Sequence, residues 1–350
     1  MKRTNALKQI VKEQQKPGTL IIFDRTNITY FTNFSGAAAL LVPEQGDNTM
    51  YVPAVNYEQA KAEVKDFTVE SIKRGENLMD KIVKQASTKR FSVDTVPIES
   101  WCALAKAVGG EEKLEPVNSL IRELRKTKDP QEIHLIKEAC KIANIGIQTA
   151  AETIHPGVKE MQVAAEVEYA MRKAGSDETA FKTIIASGFC CAYPHGTFQN
   201  RTIEEGDFVV VDLGATYKFY CSDITRTFTV GKPTNKQRRI YQAVQLAHQK
   251  AFETIKPDIS ASEVDLAARR VIEDAGFGES FVHNLGHGVG LEVHEDPTLS
   301  LDSKDVLNEG NVVTIEPGIY LPGFGGVRIE DTVLVTRNSS EKLTFSTYML

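Results

Sequence analysis

The C-terminal part of this 350-residue chain repeats itself. Ile154-His155-Pro156 and Lys173-Ala174-Gly175 recur as Ile255-Lys256-Pro257 and Asp274-Ala275-Gly276, each 101 residues later and at the same internal spacing. The helices expected before them, ending at Ile154 and Ile255, also correspond. The repeat continues without gaps from Glu205-Gly206-Asp207-Phe208-Val209-Val210-Val211-Asp212-Leu213-Gly214 to Glu309-Gly310-Asn311-Val312-Val313-Thr314-Ile315-Glu316-Pro317-Gly318. A duplication predicts two like halves related by a pseudo-twofold axis, and it fixes the fold more tightly than any single motif.

Each half carries a Glu-Gly turn, an apolar strand, a carboxylate at its end and a glycine two residues later. A second strand adds another acid to each half, Asp223 in one and Glu330 in the other. The symmetry then predicts four carboxylates around one axis. Burying an unpaired carboxylate costs several kcal/mol, so four converging acids ask for cations, and two divalent metals would neutralise them.

His287, in His283-Asn284-Leu285-Gly286-His287-Gly288-Val289-Gly290, is the expected fifth ligand. Its spacing from His283 fits a zinc helix, but the three glycines favour a tight loop in which backbone and imidazole approach a site. Oxygen donors with one imidazole suit Mn²⁺ or a similar first-row ion, with Co²⁺, Fe²⁺ or Zn²⁺ as alternatives. Two metals ~3.5–4 Å apart can hold a bridging water, lower its pKa and polarise a carbonyl, which is machinery for hydrolysis. Neutral imidazoles at His195, His283 and His294 could donate to a developing oxyanion or steer protons. Strand alternation sets Arg328 on the same face as Glu330, where a guanidinium could hold a metal-binding carboxylate.

Composition narrows the class. A net charge of −6 argues against a nucleic-acid partner. No apolar run approaches the ~20 residues of a membrane span, and the charged N-terminus lacks the apolar core of a signal peptide. The five cysteines, Cys102, Cys140, Cys190, Cys191 and Cys221, form no regular framework and suggest reduced thiols in a cytoplasm.

Residues 1 to about 120 alternate short strands and helices and read as a separate α/β domain. Its aromatics around Tyr30, Phe31 and Phe34 read as core. The charged stretch 121–128 reads as the boundary. Asp129 then caps and Pro130 opens a long helix. Ile133, Ile136, Cys140, Ala143, Ile147, Ala150 and Ile154 form its apolar stripe.

These motifs resemble the metallopeptidase family that includes prolidase, aminopeptidase P and methionine aminopeptidase (peptidase family M24). The matching motifs are Asp212 with Asp223 in DLGATYKFYCSDITRT, His287 in HNLGHGVGLEVHE, Glu316 in TIEPGIY and Glu330 in GGVRIED. The resemblance implies an α+β fold, with a creatinase/prolidase-like α/β domain over 1–125 and a duplicated pita-bread catalytic domain over 126–350. It implies two divalent metals on Asp212, Asp223, His287, Glu316 and Glu330, with a hydroxide bridging them. His195, His283, His294, Arg328 and Glu316 would be the catalytic residues. The reaction implied is hydrolysis before proline in Xaa-Pro dipeptides. Aminopeptidase P activity on longer peptides is the near alternative, and a non-catalytic peptide-binding relative the distant one. A cytoplasmic homodimer, binding neither nucleic acid nor membrane, completes the expectation.

Overall fold

The computed structural model describes residues 2–196 and 199–346. The chain divides into two compact units, Met1–Leu124 and Arg125–Leu350. The first is one six-stranded mixed sheet with helices. Its strands run in the order Thr68–Ile72, Thr49–Pro53, Ala39–Val42, Leu20–Ile22, Phe91–Val93, Leu114–Pro116. Strand Leu20–Ile22 is buried at every position and pairs parallel with Phe91–Val93. The stretch around Tyr30 is the helix Arg25–Thr32, capped by the Asp24 side chain on the Asn27 amide. Residues 121–128, read as the boundary, are helical as far as Lys126 in the element Asn118–Lys126.

The second unit bears out the duplication. Helix Pro130–Thr153 starts at a capping box of Asp129 and Glu132, and helix Asn235–Thr254 at one of Thr234 and Gln237. Each is followed by a 14-residue helix, Glu160–Lys173 and Ala261–Asp274. The loops agree down to single hydrogen bonds. The Gly157 amide donates to the Ile203 carbonyl, and the Asp258 amide to the Leu307 carbonyl. The Glu160 amide meets Arg201 just as Ala261 meets Asp305. Gly206 and Gly310 turn their Glu-Gly corners at φ of 86° and 88°, a backbone region in which glycine carries no side-chain penalty.

Alternation along the two main strands positions the site. In Phe208–Leu213, residues Val209, Val211 and Leu213 pack with Ile147, Ala150, Val163 and Val167 of that half's helices. Phe208 and Val210 face the other way and join the core of the second half, so Asp212 shares their inward side. In Val312–Ile315, residues Val313 and Ile315 pack with Val244, Ala247, Val264 and Ala268, which leaves Thr314 and then Glu316 on the opposite side.

The register corrects one expected equivalence. Asp212 pairs with Thr225, and Ile315 with Asp331, which sets Glu316 opposite Glu330. The symmetry mate of Glu330 is therefore Thr225, and that of Asp223 is Arg328. Asp223 precedes the strand Ile224–Thr229 rather than lying within it, two residues earlier than the repeat alone suggested. Contacts between the halves obey this mapping. Thr227 Oγ1 donates to the Arg328 carbonyl at 2.9 Å, and its mate Thr332 Oγ1 donates to the Asp223 carbonyl at 2.7 Å.

Candidate active site

The inward faces of the two halves bring the expected acids together. Asp212, Asp223 and Glu330 are buried. Arg328, on the strand Gly325–Arg328, donates through Nη2 to Asp212 Oδ2 at 2.6 Å. Thr225 Oγ1 donates to Glu330 Oε2 at 2.6 Å and accepts from Arg328 Nε at 3.2 Å. His287 Nε2 lies 3.3 Å from Glu316 Oε1 and 3.7 Å from Asp223 Oδ2. Ligand atoms of Asp223, His287 and Glu330 all lie within 4.8 Å of one another.

His287 sits on a short strand, Gly286–Gly288, rather than in a loop. The glycines allow close backbone approach within a sheet. A Cβ on Gly286 would fall 2.1 Å from the Thr314 carbonyl oxygen, and one on Gly288 2.2 Å from that of Asp296. The His287 amide donates to Thr314 Oγ1 at 3.1 Å. Nδ1 lies 3.0 Å from the Gly288 carbonyl. That carbonyl accepts from Nδ1–H, which leaves Nε2 as the ring atom that a metal would use.

The other three histidines differ in what they can do. His294 is exposed, with its ring 4.3 Å from that of His287. His195 is exposed too; the carbonyl of Pro194 before it accepts from Arg328 Nη1 at 3.3 Å. His283 has both ring nitrogens engaged, Nδ1 by the Asn284 carbonyl at 2.7 Å and Nε2 by Tyr320 Oη at 2.9 Å. Tyr320 also accepts from Arg328 Nη1 at 2.9 Å. Asp212, Arg328, Tyr320 and His283 thus form one hydrogen-bonded chain. Tyr320 and Thr225 were missed by the sequence reading. A signal existed for Tyr320, which lies on the same strand face as Gly318, the residue paired with Arg328.

The electrostatics fit a cation. Burial, then the charges of Glu330, Asp212 and Glu316, drive Asp223 well above the usual carboxylate range. Burial, then Glu316 and Asp212, do the same to Glu330. Asp212 is raised by burial although Arg328 opposes the shift. Burial also works against Glu316, but His287 outweighs it and holds that carboxyl below the usual range. Asp212 Oδ1 and Asp223 Oδ1 are buried with no hydrogen-bond partner. Such atoms are costly unless something positive meets them. Five hard or borderline donors, two of them orphaned, suit divalent metal ions.

Comparison with known proteins agrees. Residues 134–337 match metallopeptidase family M24, and residues 3–127 match the creatinase/prolidase N-terminal domain. A Xaa-Pro dipeptidase of Pyrococcus horikoshii is 43% identical over 97% of this chain and 96% of its own length. The crystal structure of the prolidase from Pyrococcus horikoshii OT3 superposes with a TM-score of 0.93 at 41% identity, covering 99% of both chains. An X-Pro aminopeptidase from Thermotoga maritima superposes at 0.88 with 32% identity, covering 97% of this chain and 99% of that one. With an α+β fold, a creatinase-type N-terminal domain and a buried carboxylate–histidine centre suited to divalent metals, the chain belongs to metallopeptidase family M24.

Proposed function

We propose that this metallopeptidase hydrolyses the bond before proline in Xaa-Pro dipeptides. The observation that carries the reading is the convergence of Asp212, Asp223, Glu316, Glu330 and His287, in a chain 43% identical to a Xaa-Pro dipeptidase. These five residues would hold two divalent ions, with Mn²⁺ the best match to an oxygen-rich set and Co²⁺, Fe²⁺ or Zn²⁺ as alternatives. Such ions supply Lewis acidity, lowering the pKa of a water and polarising the scissile carbonyl.

The remaining chemistry belongs to this chain's own groups. Arg328 grips Asp212 Oδ2 and so turns Oδ1 inward. Thr225 fixes Glu330 in the same way. His287 favours the charged form of Glu316, and that carboxylate would accept the proton released by the attacking water. Partial burial, then His287, lower the basicity of His294; as a relay it would take a proton on one ring nitrogen while giving the proton of the other to the departing proline nitrogen. That nitrogen carries no N–H in the substrate, so recognition rests on ring shape, with His195 and His294 beside the ring. His283, engaged on both nitrogens, sets the wall through Tyr320.

The test is a substrate panel run after chelation and again after Mn²⁺ is restored. Turnover of Ala-Pro and similar dipeptides on readdition is the expected result. Turnover of Xaa-Pro-Yaa tripeptides alone would replace this reading with an aminopeptidase P, which the likeness to the Thermotoga maritima enzyme favours. Absence of all metal-stimulated hydrolysis would leave a peptide-binding relative. The proposal extends to a cytoplasmic homodimer. All five cysteines are free, in keeping with a reducing compartment, and among the described residues no helix is long and apolar enough to cross a membrane.

A further inference from the structure

Glu160 is a carboxylate that the chemistry above leaves unused. It is fully buried at the first position of the helix Glu160–Lys173, where the helix dipole favours negative charge. Its Oε1 accepts from the Ser187 amide at 2.8 Å and from Ser187 Oγ at 2.6 Å. Its Oε2 accepts from the Gln199 amide at 2.8 Å. Ser187 ends the strand Ile184–Ser187, and Ser187 and Gln199 flank the stretch that carries His195. One carboxylate therefore grips the chain on both sides of that histidine. A third anchor is the Pro194 carbonyl on Arg328. Arg201 completes the network, donating to Ser187 Oγ at 2.5 Å and to Asp207 Oδ2 at 2.6 Å.

A buried acid placed for helix stability alone needs only local donors. Here the donors are backbone amides 27 and 39 residues away in sequence. We propose that Glu160 is a positioning residue, whose carboxylate closes the base of the His195 stretch and sets that imidazole at the substrate. The inference rests on the reading of His195 as a residue that meets the substrate. It follows from geometry that Glu160→Gln is a selective lesion. The amide oxygen can still accept from Ser187, but the NH₂ then faces the Gln199 amide donor, and that end of the clasp opens.

The test is a double-mutant cycle of Glu160→Gln and His195→Ala, with kcat and KM on Ala-Pro in Mn²⁺, metal stoichiometry and thermal melting for each variant. Small misplacements of a positioned group cost up to ~100-fold in rate. The expected result is a loss of about 10- to 100-fold in kcat/KM for Glu160→Gln with metal stoichiometry unchanged. In the His195→Ala background the same change should cost less than about twofold, because coupled residues are non-additive. Equal losses in both backgrounds, or no loss in either, would overturn the inference. Near-normal activity of His195→Ala alone would sink the reading of His195, and this inference with it. Should Glu160→Gln fail to fold, Ser187→Ala removes one of the three bonds and enters the same cycle, with the same outcomes deciding.

Discussion

Thr225→Val tests whether the hydroxyl opposite Glu330 tunes the metal centre or only packs there. The change keeps the side chain's shape and deletes one group. That group donates to Glu330 Oε2 at 2.6 Å and accepts from Arg328 Nε at 3.2 Å, and Thr225 is fully buried. A hydrogen bond to an ionised partner contributes about 1.5–3 kcal/mol, and one between neutral groups about 0.5–1.5 kcal/mol. Burial, with Glu316 and Asp212 nearby, disfavours the charged form of Glu330, and a bound cation favours it. As metal draws Glu330 toward its charged form, the Thr225 hydrogen bond becomes more charge-assisted. The bond gains roughly 1–1.5 kcal/mol in the process, and this gain is lost in the valine variant.

A loss of that size weakens Mn²⁺ affinity about tenfold. Isothermal titration with Mn²⁺ at pH 7 reads it directly. Thr229→Val is the control, since its buried hydroxyl, on the same strand, has no hydrogen-bond partner; its affinity should stay within about twofold of the parent, as expected for a change that breaks no interaction. The metal-free Thr225→Val protein should also melt lower, because Arg328 Nε loses its acceptor, at about 1–3 kcal/mol. If Thr225→Val bound Mn²⁺ as tightly as the parent while melting lower, the hydroxyl would be structural only.

Three further outcomes are expected. Adding Mn²⁺ to the chelated protein at 100 times its dissociation constant should stabilise it by ~2.7 kcal/mol, read as a rise in melting temperature; no shift would contradict a site in the folded state. Glu295→Gln should destabilise the protein by about 3–5 kcal/mol at pH 7 in urea unfolding, because Arg125 and Lys128 would lose the buried carboxylate between them. Burial opposes ionisation of Glu295, but Lys128 and Arg125 override it and hold its pKa below the ordinary value. Its contribution is therefore present above the ordinary carboxylate pKa and lost as pH falls through the lowered one. Parent stability should drop on acidification more steeply than that of Glu295→Gln, and parallel curves would refute the assignment. Gly286→Ala drives a Cβ to 2.1 Å from the Thr314 carbonyl oxygen, so it should cost about 1–3 kcal/mol and weaken metal binding through the shift of His287. Unchanged melting and titration would show that the sheet yields there.

The acids were legible because they stand at strand ends of a duplicated sequence, and Arg328 because alternation ties it to Glu330. Thr225 and Tyr320 were not, since threonine and tyrosine are ordinary strand formers and nothing local separates a supporting hydroxyl from a β-preferring one. Glu160 resembles any acid in a first helical turn until its distant partners are known. The helix Arg25–Thr32 was hidden by its composition, with three threonines, an isoleucine and two aromatics that favour strands; the Asp24 cap and tertiary burial decide it. The two-residue offset between Asp223 and Glu330 needed the strand register, which repeat alignment over unequal loops does not supply.

That offset explains how a duplicated frame makes an asymmetric site. Asp212 and Glu316 are true mates, one acid from each half. The mate of Glu330 is Thr225, and the two touch. The mate of Asp223 is Arg328, which turns to Asp212. Had both halves kept acids at these positions, six buried carboxylates would meet, with no donor to orient any of them and mutual repulsion on every side. Had both kept threonine and arginine, only two acids would remain. Divergence at two positions gives four carboxylates, one hydroxyl donor and one guanidinium. Each supporting group belongs to the opposite half from one of the acids it holds: Thr225 grips Glu330, and Arg328 grips Asp212. The halves are thereby locked through the site itself. Loosening their packing should disturb metal binding before it disturbs either half's own core.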